Sequence, residues 1–462
     1  MTGLKTKLLF NKTLTEKRNT SMPELYNKEG LKARFENWEK QLNGEKSSDF
    51  HSFRKESFDS YLKVGTPSRK NEEYKYTGLD KVIDKNFVED DWNRTANVPE
   101  QTIKDRVIQD LEAYDIFFVN GILNKELSHW DELSKEINLM TIKEAFAAGE
   151  KECIDNFGKH ATPDSDPFTA INDSLTDEGI FINIKKGQIL TKPVMIYYLN
   201  YTNEGGVITH PHNLFIFGEN SQGEIIEKFD TIGENHSLTN IVSEIVVNKS
   251  AVVKYYKIQS EHNGNVHVGN TQVWQDEHSN FTSTTLSFGG MMVRNNLNIA
   301  LDASHCEANM YGLSLLKDNH HVDHHTSVDH RMPHAESNEL YKGVFDEKST
   351  GVFNGKIFVR QDAQKTNAFQ SNRNVLLSKD ATINTKPQLE IWADDVKCSH
   401  GATTGQIDPE QLFYLRSRGM DKQSARALLL YAFAMDIVEH IGNEQVRKYL
   451  DNLISERLQK NF

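Results

Sequence analysis

Three stretches decide how this sequence folds: Gly218-Glu-Asn-Ser-Gln-Gly-Glu-Ile-Ile-Glu-Lys-Phe229, Asn248-Lys-Ser-Ala-Val-Val-Lys-Tyr-Tyr-Lys-Ile258 and Asp276-Glu-His-Ser-Asn-Phe-Thr-Ser-Thr-Thr-Leu-Ser-Phe288. Each opens on a turn-forming cluster and runs into β-branched and aromatic residues with the alternating period of a strand. The pattern recurs at Asp302-Ala-Ser-His305 and at His334-Ala-Glu-Ser-Asn338. The first strand residues, near Glu224, Ala251, Phe281, Glu307 and Leu340, are 27, 30, 26 and 33 residues apart. This spacing predicts a solenoid of strands. One coil cannot bury its inner face alone, so coils stack and their inward positions line one continuous core. On the pattern alone a sandwich or jelly roll, whose strands also alternate, stays open.

Working outward, the period is helical on both sides. Leu31, Phe35, Trp38 and Leu42 recur at three and four, and Asp131 to Ala148 reads as another helix ended by Gly149. A strand intrudes near Asp115 to Asn120. Asp408-Pro409 reads as a cap followed by a first-turn proline, and Gly419 separates a short helix from a longer one over about Lys422 to Ile441. In the longer helix Ala425, Leu428, Leu429, Ala432 and Met435 mark one face, while Leu430, Phe433, Ile437 and Val438 fill others. Such a helix packs on the solenoid or docks a partner chain. The expected organisation is a disordered leader at 1–22, a helical or mixed region at 23–166, a β core at 167–406 and a helical region at 407–462.

The chain has 462 residues, with 53 Lys plus Arg against 66 Asp plus Glu and a net charge of −13. A surface of that sign does not bind nucleic acid through phosphate neutralisation. The longest apolar run, Ala427 to Met435, has nine residues, well short of the roughly 18–20 that span a membrane. Cys153, Cys306 and Cys398 form no disulfide framework, which points to a reducing cytoplasm. The leader carries Lys5, Lys7, Lys12, Lys17 and Arg18 against Glu16 without the apolar core of a secretory signal. It reads as a floppy leader or upstream start, with an organellar transit peptide as the other possibility.

Two clusters could carry chemistry. The denser holds His320, His321, His324, His325, His330 and His334, with His305 and Cys306 nearby. Residues two apart share a strand face, so His321, Asp323 and His325 would offer two imidazoles and a carboxylate to iron, the donor set of a non-haem oxygenase. The alternative is that these histidines decorate a polar sheet face or stack as rungs on successive coils. The second cluster, Cys398-Ser-His400, sets a thiol beside an imidazole at the end of a strand. That pair suits Fe²⁺, an iron–sulfur cluster or Zn²⁺, but two ligands do not close a site, and a buried structural cysteine is the plainer reading. There is no phosphate-binding loop: Gly351-Val-Phe-Asn-Gly-Lys-Ile357 is too short and ends in Ile, so ATP hydrolysis by this chain is not expected. Dinucleotide fingerprints, a G-x-S-x-G elbow and Cys-x-x-Cys are also missing.

Pro387-Gln-Leu-Glu-Ile-Trp-Ala-Asp-Asp-Val-Lys-Cys398-Ser-His400-Gly-Ala-Thr-Thr-Gly405, with Leu412-Phe-Tyr-Leu-Arg-Ser-Arg-Gly419, resembles the scaffold family of the SUF iron–sulfur cluster assembly system. His321-Val-Asp-His-His-Thr326, Tyr341-Lys-Gly343, Gly351 to Ile357 and Ala363-Gln-Lys-Thr366 are similar to the same family, and Glu73-Tyr-Lys-Tyr-Thr77 more thinly. The likeness covers about Pro167 to Ile441. Gly401 after His400, where the SufB branch usually has Glu, favours the SufD branch. The resemblance implies a mainly β protein with a right-handed parallel β-helix core and helical ends, a non-catalytic scaffold. It implies a SufB heterodimer partner, a SufC ATPase bound through the C-terminal helices, and a transient cluster or iron at the SufB–SufD interface. His400 is then the ligand candidate and Cys398 its companion, with Leu412, Phe413, Arg416, Leu428, Leu429 and Phe433 as ATPase-docking candidates. Reduced flavin is associated with such complexes, without a residue assignable here, and homodimerisation is open to the chain alone.

Overall fold

The computed structural model describes residues 26–42, 48–87 and 98–461; the leader expected at 1–22 lies outside them. The chain is mostly β, built as a parallel β-solenoid flanked by helices at both ends. Two sheets run side by side, one holding Tyr114–Val119, Val194–Tyr201, Gln222–Ile232, Val252–Gln259, Asn280–Ser287, Glu307–Leu316, Glu336–Phe345, Asn367–Leu376 and Lys397–Gly405 in spatial order. The facing sheet runs through Ile180–Ile184, His212–Phe217, Ser237–Val247, Asn265–Gln275, Met292–Leu301, His321–His330, Thr350–Val359 and Thr382–Ile391. Neighbours along both runs pair in parallel, which excludes the antiparallel sandwich and jelly roll. At the N-terminal end each sheet finishes in a short antiparallel strand, Ile122–Asn124 or Asn138–Thr141.

Register explains why the coils stack. Ile245, Val273, Ile299, Val328, Ile357 and Leu389 are successive partners on one inward column. All but Leu389 are buried, and each buried aliphatic contributes roughly 1.5–3 kcal/mol over exposure. Leu389 is half-buried, because among the described residues no coil stacks beyond it.

The turns supply a second ladder. Asn220, Ser250, His278, His305, His334 and Lys365 all take left-handed φ, between 57° and 63°. The amide of each bonds a carbonyl of the next coil, from Lys249 through Asp395. His278, His305 and His334 consequently stack, with ring centroids 4.8 and 4.9 Å apart. The turn clusters therefore mark coil corners, as the spacing predicts. The strand expected to begin near Leu340 begins at Glu336, which removes the irregular step in that spacing.

Other expectations need correction. Asp131 to Ala148 is not one helix: Trp130–Glu136 and Ile142–Ala148 are separated by Asn138–Thr141, which the sheet claims by pairing with Ile180–Ile184. Gly149 does end the second helix, at φ 71°. Asp408 caps Pro409–Ser417 as expected, but the following helix is Lys422–Val438, and a further helix, Glu444–Asn461, completes the helical region expected at 407–462. The buried face of Lys422–Val438 is Ala425, Leu430, Ala434, Ile437 and Val438, while Leu428 is exposed.

The two helical regions cover different faces. Lys28–Gln41, Asp49–Val64 and Pro167–Leu175 bury Leu31, Phe35, Tyr61 and Phe168 against Leu238, Val266 and Val268 of one sheet. The C-terminal helices bury Leu430, Ile437, Leu450 and Ile454 against Ile226, Tyr256, Leu286 and Leu313 of the other. A buried triad fastens the first cover: His212 Nδ1 lies 2.8 Å from Asp173 of Pro167–Leu175, and its Nε2 lies 3.1 Å from Glu244. Glu244 also accepts from the His160 and Ala161 amides at 2.7 and 2.9 Å.

Candidate functional site

The C-terminal end of the solenoid is open. Among the described residues Lys397–Gly405 pairs only with Asn367–Leu376, and Thr382–Ile391 only with Thr350–Val359. The Lys397 amide bonds back to Thr366 at 2.9 Å. Because backbone groups alternate sides along a strand, the amides of Cys398, His400, Ala402 and Thr404 point away from the solenoid. Such an edge is a template for another chain. Around it lie Phe369 at 45% exposure, Ile391 at 40% and Trp392 at 50%, bulky apolar surfaces on the last coil.

Cys398 and His400, two apart, share a face of this last strand. Cys398 is half-buried against Ile357, Val359, Ala363, Ala368 and Ala393. Burial pushes its thiol up, partly opposed by the Ala368 amide. His400 is exposed. The two supply one sulfur and one nitrogen donor on an open edge, a soft set suited to iron, and leave the remaining ligand positions to groups from elsewhere. Among the described residues no group of three or more His, Cys, Asp or Glu could hold a metal ion.

The histidine-rich strand His321–His330 is sorted by pleat. His324 and His330 point into the solenoid, 3.1 Å from Ser314 Oγ and 2.9 Å from Ser337 Oγ. His321, Asp323 and His325 do share the outer face, yet they are not an iron site. The Asp323 carboxylate is taken by Arg294 at 2.7 Å, His325 at 3.0 Å and the Thr77 hydroxyl. His321 Nε2 lies 2.9 Å from the same hydroxyl. Burial alone would raise Asp323; Arg294 and then His325 hold it far below the usual carboxylate range. A guanidinium on the carboxylate occupies the lone pairs iron would need and repels the ion.

These residues instead form a latch for the segment containing Glu72–Tyr74. Glu73 pairs with Lys356 at 2.6 Å and His325 at 3.3 Å, and Arg294 lies 4.6 Å from the Tyr74 ring centroid. The His325 hydrogen bond, then Lys356, outweighs burial and lowers Glu73 to about 2. A depressed carboxylate stabilises above its unfolded value, about 4.3, and that contribution is lost as pH falls towards the folded one. Protease nicking near residues 68–77 is therefore expected to increase on acidification from pH ~4 towards ~2; nicking that does not change over that range would contradict the latch.

The C-terminal candidates divide by exposure. Phe413 is 73% and Leu428 43% exposed, with Tyr414 beside them at 56%. Arg416 is exposed, and Leu412 and Leu429 are half-buried. Phe433 is engaged within the chain: Lys342 Nζ lies 4.3 Å from its ring and 3.0 Å from its carbonyl oxygen. Pro409–Ser417 buries no residue at all. No helix of the described residues is long and apolar enough to cross a membrane.

Residues 200–433 match the family described as SUF system FeS cluster assembly, SufBD core domain, and residues 26–196 match the SufBD protein N-terminal region. The chain is 30% identical over 402 residues to the iron–sulfur cluster assembly protein SufD of Escherichia coli, covering 86% of this chain and 90% of that one. It is 29% identical over 397 residues to an iron–sulfur cluster assembly SufBD family protein of Synechocystis, covering 84% and 87%. SufD of Bacillus subtilis is 26% identical over 299 residues, covering 64% and 68%.

Proposed function

This chain belongs to the SufBD family and is a subunit of the SUF iron–sulfur cluster assembly system, and from that premise we propose that it is the non-catalytic half of a composite scaffold. Its partner is a SufB-type chain that continues the sheets beyond Lys397–Gly405. His400 then stands at the join as a ligand for iron or a nascent cluster, the cargo of the assembly, with Cys398 beside it. The observation that carries this reading is the uncovered final coil bearing a thiol and an imidazole. A donor pair that cannot complete coordination, on an edge that cannot complete its hydrogen bonds, calls for a second chain on both counts.

The energy source is a SufC-type ATPase docked on the C-terminal helices, with the exposed Phe413, Arg416 and Leu428 as its first contacts. Lys422–Val438 is tied to the solenoid by Lys342 to Asp436 at 2.6 Å and Arg426 to Asp346 at 3.2 Å. Pro409–Ser417, in contrast, has no buried anchor and follows the last strand after three residues. A pull on this short helix is delivered to the strand carrying His400, which opens the join to iron and sulfide.

Exchanging His400 for Ala in the co-expressed complex is expected to lower cluster yield at least tenfold, as loss of a ligand does, with complex formation intact. Iron and sulfide analysis of the purified complex reads it. An undiminished yield rejects the ligand role.

A further inference from the structure

We propose that Gln370, held from behind by Glu339, is the positioning residue of His400: its side-chain oxygen accepts one imidazole N–H and thereby turns the other ring nitrogen towards the metal. The proposal rests on the ligand reading of His400 and adds the buried machinery behind it.

The register places the three in line. Glu339 is the strand partner of Gln370, and Gln370 of His400. Side chains at partnered positions of adjacent parallel strands lie on one face, about 4.8 Å apart. This face points into the solenoid, because Gln370 is 3% and Glu339 4% exposed. His400 is therefore the mouth of an inward column, not an isolated surface residue.

The orientation of the Gln370 amide is fixed from two sides. Its Nε2 donates to Glu339 Oε2 at 2.7 Å. On the facing sheet stands Gly355, where an added Cβ would come within 2.3 Å of the same nitrogen. The missing side chain at Gly355 is what admits the amide. With the nitrogen so engaged, the oxygen is left over, and Gln370 Oε1 has no hydrogen-bond partner among the described residues. A buried amide oxygen without a partner is costly, and the imidazole next to it on the column carries an N–H to give.

The consequence follows from histidine chemistry. An imidazole ligates through the nitrogen that bears no proton, and a hydrogen bond at the other nitrogen fixes the tautomer and the ring plane. Burial raises the Glu339 carboxyl to about 7. Either protonation state still offers an acceptor to the amide, so the Gln370 orientation persists across neutral pH. Glu339 acts through Gln370, and neither residue touches the cargo.

The test uses the full chain with 15N-labelled histidine side chains, the His400 signals being assigned by their loss in His400→Ala. One neutral tautomer is expected for the native chain, and a mixture of tautomers for Gln370→Leu, which keeps the volume and removes the acceptor. Cluster yield in the co-expressed complex is expected to fall about tenfold in Gln370→Leu. The exchanged pair Glu339→Gln with Gln370→Glu, which again presents an acceptor to His400, is expected to restore both readouts. Identical His400 signals in the native chain and in Gln370→Leu would overturn the inference whatever the yield. That result beside a lost yield in His400→Ala leaves the ligand reading standing, so the two failures are told apart.

Discussion

Replacing His212 by Ala is expected to lower the free energy of unfolding by about 3–5 kcal/mol, the cost of breaking a buried ion pair from one side. The imidazole sits fully buried between Asp173 and Glu244. Burial pulls His212 down, but the two carboxylates overcome it and lift the group to about 9. Removing the ring leaves two carboxylates in an apolar setting, with Phe157 4.1 Å from the lost ring centroid. The same triad holds helix Pro167–Leu175 and the amides of Gly158, His160 and Ala161, so the damage extends to the N-terminal cover. Denaturant titration reads the loss, and a change below about 1 kcal/mol would show that the triad carries little. The pH dependence has a definite sign. A histidine with a raised folded value stabilises fully below its unfolded one, near 6.5, and the contribution is lost as pH rises through about 9. The native chain is expected to lose stability over that interval more steeply than His212→Ala.

Ala402→Pro is expected to weaken assembly with the proposed SufB-type partner about a hundredfold while leaving this chain folded. By strand alternation from the Lys397–Thr366 bond, the Ala402 amide points away from the solenoid. Proline removes that donor and sets a ring on the edge where the next strand must pair, yet an edge strand tolerates it because no bond within the chain is lost. Losing one or two backbone bonds and adding a clash costs about 3 kcal/mol, or about a hundredfold in affinity. Thr403→Pro is the control, since its amide faces Asn367–Leu376 and its loss damages the fold itself. Co-purification with the partner and the melting temperature of the chain alone separate the two. Full recovery of the complex with Ala402→Pro would remove the open edge from the assembly mechanism.

Much of the solenoid is legible in the sequence because its corners are. Asn220, Ser250, His278, His305 and His334 are each embedded in a cluster of turn formers, and those clusters recur at coil length. The second strand of every coil is harder to see. Asn265–Gln275 carries Asn and Gln on both faces and His267 and Thr271 on one, since one side meets a polar interior and the other the N-terminal cover, so its alternation has little contrast. Asn138–Thr141 is absorbed into an apparent helix, because four residues hold too little pattern to outweigh their helical neighbours. At the site, Cys398 and His400 are visible from spacing two apart. Gln370 and Glu339 are not, because they lie 30 and 61 residues upstream of His400 and join it only through pairing register. The histidine run misleads for the same reason: nothing in His321-Val-Asp-His-His says that Arg294, from the preceding coil, already holds Asp323.

The open edge at Lys397–Gly405 also sets a schedule for synthesis. Each coil can settle on its predecessor as it leaves the ribosome, so the nascent chain always offers one growing edge to its own next coil. Only when Lys397–Gly405 emerges does that edge become permanent. Because that edge strand emerges after the coils behind it, the surface most prone to stray pairing appears only once they have settled.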